Sequence, residues 1–287
     1  MRVLVVGSTG TIGKRLVTYL GDHGVETFST SREVVKCGSR LLHLDLSRVS
    51  DFADGIESQE SFDGAVLCAG VTNFRECENE PEVTSEININ AQLTLTSALL
   101  GGGTKRVYFL SSNRVFGGDT ASSRKYSPYS FRTEYGRQKA TAETELLKLG
   151  QAVRVIRLTK VLSEDNPLLK DWVFKLKLGQ EVKAFIDVMV SPVTLDDTVR
   201  VITDVIESEN ESVTQFSATD EISYFDMARF VAKFLQVDVG LVVKQNAADV
   251  GERPLDHASL ECSKFRSVIP TSSFVALQKV LEKMVPS

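Results

Sequence analysis

Arg2-Val3-Leu4-Val5-Val6-Gly7-Ser8-Thr9-Gly10-Thr11-Ile12-Gly13 decides how the rest of the chain is read. Val3 to Val6 form an unbroken apolar run, which suits a strand buried on both faces. Three glycines spaced three apart come directly after it, and the pattern from about Thr11 to His23 is that of a helix. Glycines let the backbone turn sharply and approach a pyrophosphate, while the free amides and the dipole of the following helix face its negative charge. The stretch therefore predicts a dinucleotide-binding turn made of Gly7, Thr9, Gly10, Thr11, Ile12 and Gly13.

Outward from this turn, short β-branched runs alternate with longer amphipathic segments. Strands are expected at Glu26 to Ser29, Arg40 to Leu44, Gly64 to Cys68, Arg106 to Leu110 and Val153 to Leu158, with helices near Thr84 to Leu100 and Glu134 to Leu149. Such alternation predicts an α/β fold of Rossmann type, a doubly wound parallel sheet covered on both faces. After about Asn166 the rhythm loosens into helices at Leu168 to Leu178, from Asp196-Asp197, at Tyr224 to Leu235 and at Ser273 to Met284, with a strand at Val182 to Val190. The expected division is a nucleotide-binding domain over 1–165 and a smaller α/β substrate-binding region over 166–287, interleaved if strands cross the boundary. Ligands of such folds lie in a cleft at the sheet's edge.

The end of the second strand should carry the ribose partner. An acidic residue there would hold the ribose hydroxyls of NAD. The chain instead has Ser29-Thr30-Ser31-Arg32, so Ser31 and Arg32 offer a hydroxyl and a guanidinium to a 2′-phosphate, and NADP(H) is favoured over NAD(H). The alternative for Arg32 is a solvated surface charge.

Composition excludes several other classes. The 287 residues amount to roughly two domains at about 150 residues each. The balance of 33 basic and 38 acidic residues leaves a net charge of -5, with no positive field to attract nucleic acid or anionic lipid. The longest uncharged span, Ile87 to Thr104, is diluted by Asn88, Asn90 and Gln92, so no membrane span is expected. Cys37, Cys68, Cys77 and Cys262 lack close pairing and are expected to be reduced thiols in the cytoplasm. His23, His43 and His257 are scattered, and no metal site is expected.

Two further segments carry chemistry. The strand ending at Leu110 runs into Ser111-Ser112-Asn113-Arg114-Val115-Phe116-Gly117, and later comes Tyr135-Gly136-Arg137-Gln138-Lys139. Tyr and Lys four apart share one helix face. Both segments should emerge at the C-terminal edge of the sheet, where a nucleotide on the first turn would place its nicotinamide.

With GSTGTIG, Asp45, Cys68-Ala69-Gly70, Asn88 in ININAQLTL, SSNRVFG, YGRQK, RLTKVLS, SPVTLDD and Glu252-Arg253-Pro254-Leu255 in this order, the sequence resembles the extended short-chain dehydrogenase/reductases. Within them it is most similar to the dTDP-4-dehydrorhamnose reductases, over most of its length. The resemblance implies that Ser112 bonds the substrate carbonyl oxygen, that Tyr135 exchanges the proton on it, and that Lys139 lowers the tyrosine pKa and grips the nicotinamide ribose. It further implies that Asp45, Leu46, Cys68, Ala69, Gly70 and Asn88 belong to the cofactor wall, although Cys68 replaces a more usual Asn or Ala. Asn113 is either a second substrate contact or a turn residue. Arg253 either reaches a nucleotide diphosphate or forms a structural ion pair.

As to activity, the resemblance implies an NADPH-dependent reductase of a keto group on a nucleotide-activated sugar, working as a homodimer paired through the helices near Thr84 to Leu100 and Glu134 to Leu149. The alternatives are an epimerase or dehydratase of the same fold, which usually binds NAD, and a silent NADP-binding regulatory subunit.

Overall fold

The chain enters through β1 (Arg2–Val6), whose last four residues are buried, as the apolar run requires. α1 (Thr11–Asp22) follows the glycine turn and packs Leu16 and Leu20 inward. β2 (Glu26–Ser31) and β3 (Leu41–His43) come next, then α2 (Val49–Ile56) and β4 (Gly64–Leu67). The structure is a computed structural model and describes residues 1–33, 40–56, 61–208 and 211–285; Cys37 lies outside the described residues.

Three short helical pieces precede the next strand: α3 (Phe74–Asn79), α4 (Pro81–Ser85) and α5 (Ala91–Gly101), the last two joined by a π-helical segment, Glu86–Asn90. The single regular helix expected over Thr84 to Leu100 is thus interrupted by widened turns. Asn88 shows why: its buried amide is drawn inward to clamp the backbone of Val71, and π turns commonly re-aim a side chain in this way. β5 (Val107–Ser112), α6 (Glu134–Lys148) and β6 (Val153–Leu158) complete the first half.

Beyond them lie β7 (Val161–Leu162), α7 (Pro167–Lys177), β8 (Val182–Phe185), β9 (Met189–Val190), β10 (Val193–Thr194), α8 (Leu195–Glu207), β11 (Val213–Phe216), β12 (Ile222–Ser223), α9 (Tyr224–Phe234), β13 (Val242–Gln245) and α10 (Ser273–Met284). The strand expected over Val182 to Val190 is two strands with different partners: β8 pairs with β13 and β9 with β12.

The main sheet has the order β11-β6-β5-β4-β1-β2-β3, and the pairs from β5 to β3 are parallel. The α/β sheet expected from the sequence is therefore present, extended at one edge by β11 from late in the chain. The strand order runs outward in both directions from the β1–β4 pair, which makes this the switch point where ligands of open α/β sheets bind. Register fixes what meets there. Val6 stands opposite Leu67, and Leu67 opposite Phe109, so Gly7 and Cys68, the first residues past β1 and β4, come level with Leu110 of β5.

By internal contacts the chain forms two units. The first comprises Met1–Phe116, Pro128–Arg157 and Val199–Thr214, and the second Gly117–Ser127, Leu158–Thr198 and Gln215–Ser287. The first unit's core joins Leu4, Val6, Leu67 and Phe109 of the sheet to Leu95 and Leu99 of α5. Fully burying each such side chain contributes about 1.5–3 kcal/mol, which outweighs the weak intrinsic helix preference of the Thr-rich α5 sequence. The second unit has its own core around Leu169, Trp172, Leu176, Met227 and Leu277. Trp172 meets Tyr224 edge-on at 6.3 Å, as a packing residue would.

Candidate active site

The glycine turn is tightly closed. Gly7 takes φ +85°, and a Cβ on Gly13 would stand 2.2 Å from the Gly7 carbonyl oxygen, so no larger residue could close the turn onto the first helical residues. Gly7 donates its N–H to Thr30 Oγ1 (3.1 Å), and Ser8 Oγ donates to the Thr30 carbonyl oxygen (2.9 Å), which anchors the turn to β2. α1 begins at Thr11 with Gly10 as its N-cap; no side chain caps it and no acid stands in its first turn. The positive end of the helix, which includes Ile12 and Gly13, is thus left for an anionic ligand.

Beside the turn is a cavity of about 260 Å³. Its floor is Gly7, Thr9 and Gly10; one wall is Ser31, Arg32, Asp45 and Leu46, and the other Cys68, Ala69 and Gly70. Ten of the expected cofactor residues thus share one concave surface, whereas Thr11, Ile12, Gly13, Asn88, Tyr135 and Lys139, also expected to contact the cofactor, stand outside its lining. Thr30, Ser47, Val71 and Ile87 also line it and were not singled out from the sequence. Thr30 could have been, because a hydroxyl at the end of the second strand is the natural partner of the turn's first amide.

Charges on this surface are ordered. Ser47 donates its N–H (3.0 Å) and its hydroxyl (2.8 Å) to Asp45 Oδ1, and these bonds, with the nearby charge of Arg32, hold the Asp45 carboxyl below its ordinary pKa. Arg32 is exposed, while Ser31 is buried with its Oγ accepting the Glu33 N–H at 3.0 Å. That geometry leaves the Ser31 hydroxyl hydrogen able to donate.

The second cluster sits at the end of β5 and the start of α6. Thr133 caps α6 by accepting the Gly136 N–H at 3.1 Å, which fixes the helix start so that Tyr135 and Lys139 face the sheet. Both are buried. Ser112, the last residue of β5, hydrogen-bonds the Tyr135 side chain and accepts the Arg114 N–H at 3.2 Å, and its hydroxyl reaches Asn113 Oδ1 at 3.4 Å. Burial pushes the Tyr135 phenol up to about 12, offset in part by the Ser112 hydrogen bond and the charge of Arg114. Lys139 Nζ donates to the Leu110 carbonyl oxygen at 2.9 Å and lies 4.3 Å from the centre of the Phe109 ring. Burial lowers the Lys139 ammonium to about 8, against the opposing pull of the Glu143 carboxylate one turn along the same helix face. The charge of Lys139 also acts on the Cys68 thiol, which burial pushes up to about 12 and so keeps neutral. Cys68 lines the cavity, so cluster and cavity share a wall.

Buried polar side chains brace this corner. Asn88 accepts the Val71 N–H (2.8 Å) and donates to the Val71 carbonyl oxygen (2.9 Å) and to Gln138 Oε1 (2.7 Å). Gln138, between Tyr135 and Lys139 on α6, donates onward to Thr84 Oγ1 and Glu134 Oε1 at 2.9 Å each. Asn88 therefore ties the loop after β4 to α6. Deeper in α6, Arg157 on β6 donates to Glu143 through Nε (3.0 Å) and Nη2 (2.6 Å), and the Tyr129 hydroxyl donates to the same carboxylate at 2.9 Å. Gln138, Glu143, Arg157 and Tyr129 were not expected from the sequence. Arg253 belongs to the second unit, where it is exposed just before the buried Leu255. His257, in the same segment, approaches Glu221 Oε2 through Nδ1 at 3.0 Å.

A sheet that switches direction beside a glycine turn, with a cavity at its C-terminal edge, defines a Rossmann-type nucleotide-binding α/β protein, with the fold of the NAD-dependent epimerase/dehydratase superfamily. The chain belongs to the RmlD substrate binding domain family, which matches residues 1–285. It is similar to the dTDP-4-dehydrorhamnose reductase of Yersinia enterocolitica, with 20% identity, a TM-score of 0.87 and 99% of each chain covered. It is also similar to the dTDP-4-dehydrorhamnose reductase of Bacillus anthracis, solved in complex with NADP, with 18% identity, a TM-score of 0.85 and 98% of each chain covered. At these identities the likeness is one of fold. A curated relative, the probable low-salt glycan biosynthesis reductase Agl14 of Haloferax volcanii, is 22% identical over 274 residues, 91% of this chain and 89% of that protein. The family resemblance read from the motifs is borne out.

Proposed function

We propose that the protein is an NADPH-dependent reductase of a keto group on a nucleotide-activated sugar, of the kind its family name and its reductase relatives suggest. The observation that carries this reading is the corner where Ser112, Tyr135 and Lys139 meet, one wall away from a cavity under the glycine turn. The uncapped N-terminus of α1 fits a pyrophosphate, and the Ser31-Arg32 edge fits a 2′-phosphate better than it fits bare ribose hydroxyls. Bound there, the reduced nicotinamide supplies the hydride. The glycine-turn cavity then holds the cofactor, and Arg253 is assigned to the diphosphate of the sugar nucleotide.

Each residue of the corner has a role its surroundings support. Ser112 donates its hydroxyl hydrogen to the carbonyl oxygen and polarises the carbon, with Asn113 as a second polar contact. Tyr135, kept protonated by burial, delivers its phenolic proton to that oxygen as the carbon is reduced, and the phenolate left behind is reprotonated from solvent. Lys139, fixed by the Leu110 carbonyl, favours the phenolate as it forms. Asn113 is neutral, so the corner lacks the acid beside its serine that eliminating water from a sugar would call for.

The decisive experiment tracks NADPH oxidation with dTDP-4-dehydrorhamnose and related 4-keto sugar nucleotides. Tyr135→Phe is expected to lower kcat by about a hundred- to ten-thousandfold while NADPH affinity, read by fluorescence, is unchanged. Full turnover in that variant overturns the mechanism; NADPH binding without turnover by the native protein would instead favour a regulatory subunit. The reading extends to a cytoplasmic homodimer. Support comes from the free thiols of Cys68, Cys77 and Cys262, and from α5 and α6, which pack together and leave the small residues Thr94, Ser97 and Thr144 outward for a close helix contact. Sedimentation of the purified protein tests the dimer. Among the described residues no helix is long and apolar enough to cross a membrane.

A further inference from the structure

We infer that Arg114 is a positioning residue of the reductive step, a cation held on the ring of Phe74 so that its charge favours the Tyr135 phenolate. The inference rests on the proposed role of Tyr135 as proton donor and deepens it. Four observations converge on the short turn after β5. The Arg114 N–H caps Ser112 Oγ at 3.2 Å, so its backbone is fixed to the residue that contacts Tyr135. A Cβ on Gly136 would stand 2.2 Å from the Arg114 carbonyl oxygen, so the first turn of α6 lies directly against this backbone. The Arg114 guanidinium lies 5.0 Å from the centre of the Phe74 ring. The Phe74 ring in turn lies 5.2 Å from that of Tyr135, tilted by 31°.

Phe74 thus meets both the guanidinium and the phenol. A guanidinium over an aromatic face is attracted by the ring's quadrupole, which fixes where its charge sits. When Tyr135 gives its proton to the substrate oxygen, negative charge appears on the phenol, and Arg114 stabilises it by its charge without touching substrate. Its charge already lowers the phenol against the effect of burial. The other titratable groups on the helices packed here are Glu134, Arg137, Lys139, Glu143, Glu145 and Lys148 on α6 and Arg75, Glu76, Cys77 and Glu78 on α3. Glu134 is engaged by Arg137 and Gln138, and Cys77 opposes phenolate formation. Arg114 therefore acts on the phenol by its charge, while Lys139 Nζ stands 5.9 Å from the centre of the Tyr135 ring.

The test does not require turnover. A difluorotyrosine placed at position 135, whose phenol titrates in an accessible pH range, reports its ionisation through the fluorine chemical shift. In the Arg114→Gln background its pKa is expected to rise by about half a unit or more, with Arg114→Lys restoring most of the difference, since Lys keeps the charge but loses the flat stacking face. Phe74→Leu is expected to shift it in the same direction by a smaller amount. With substrate, Arg114→Gln should lower kcat by about three- to tenfold, with unchanged NADPH affinity and a pH profile displaced to higher pH. An unchanged fluorine titration in Arg114→Gln overturns the inference whatever the activity. Absence of turnover in the native protein, with the titration shifted as expected, overturns the proposed reaction and leaves the electrostatic role of Arg114 standing.

Discussion

The glycine turn after β1 and the corner between β5 and α6 do their work with different materials. At the turn the unpaired polar groups are backbone amides at the uncapped start of α1, and the side chains matter mainly by being small or absent. At the corner the groups are side chains, among them Lys139, Glu143 and Arg157, which are buried together and hold one another in place. A site of backbone donors is set by local conformation, and its partner residues lie within a few positions of one another. A site of buried charges is set by tertiary pairing, across 14 residues for Glu143 and Arg157 and 29 for Lys139 and Leu110. The second kind should be the more fragile.

The strongest way to break the corner is Glu143→Gln. It leaves the Arg157 guanidinium buried opposite a neutral amide, and a loss of about 3–5 kcal/mol is expected in urea unfolding. Replacing both partners by apolar residues of similar volume, as in Glu143→Leu with Arg157→Met, should recover most of that loss. A double variant as unstable as the single one would mean that the pair contributes more than mutual neutralisation.

Lys139 sharpens the comparison through pH. Its ammonium is lowered to about 8 in the folded chain, whereas the unfolded chain keeps the ordinary 10.5. Between these values the unfolded state binds the extra proton, so folding stability rises with pH across this window and the contribution is lost as pH falls through 8. Relative to Lys139→Met, the native protein should gain up to about 3 kcal/mol between pH 8 and pH 10.5, measured by unfolding at fixed pH in this range. A flat difference would place the ammonium in a more solvated setting than its burial indicates.

At the cofactor edge the expected effect is smaller and changes binding rather than folding. Arg32→Ala should weaken NADPH by about 1.5–3 kcal/mol, roughly ten- to a hundredfold, and leave NADH nearly unchanged, read by fluorescence titration of both nucleotides. Equal losses for the two would assign Arg32 to the shared pyrophosphate or adenine instead of the 2′-phosphate. Smallest of all, Tyr129→Phe removes one hydrogen bond to a carboxylate that Arg157 still neutralises, and a cost of about 1–2 kcal/mol in stability is expected.

Much of the cavity beside the glycine turn was legible in the sequence because its requirements are local. A residue must be glycine where φ is positive or where backbones crowd, and this shows as Gly7-x-x-Gly10-x-x-Gly13 whatever the rest of the chain does. Ser112, Tyr135 and Lys139 were legible from their order, from a helical spacing of four and from a family resemblance. The bracing residues were not. Gln138 reads as an ordinary polar helix position until Asn88 is seen to meet it, 50 residues away, and Phe74 reads as a loop hydrophobe until its ring is seen against both Arg114 and Tyr135. The interrupted helix over Pro81–Gly101 was missed for the same reason, since a hydrophobic pattern records which face is buried and not where a buried amide pulls the turn wide.

The sequence by itself determined the parallel sheet, the dinucleotide turn and the absence of an acid at the end of β2, because periodicity, glycine and charge are properties of neighbours along the chain. Only the tertiary structure decided that β11 from late in the chain would close the sheet's edge, that Asn88 would tie the loop after β4 to α6, and that the Phe74 ring would meet both Arg114 and Tyr135. Those outcomes depend on register and on which buried polar groups find partners, and a buried polar group has to find its partner across the fold.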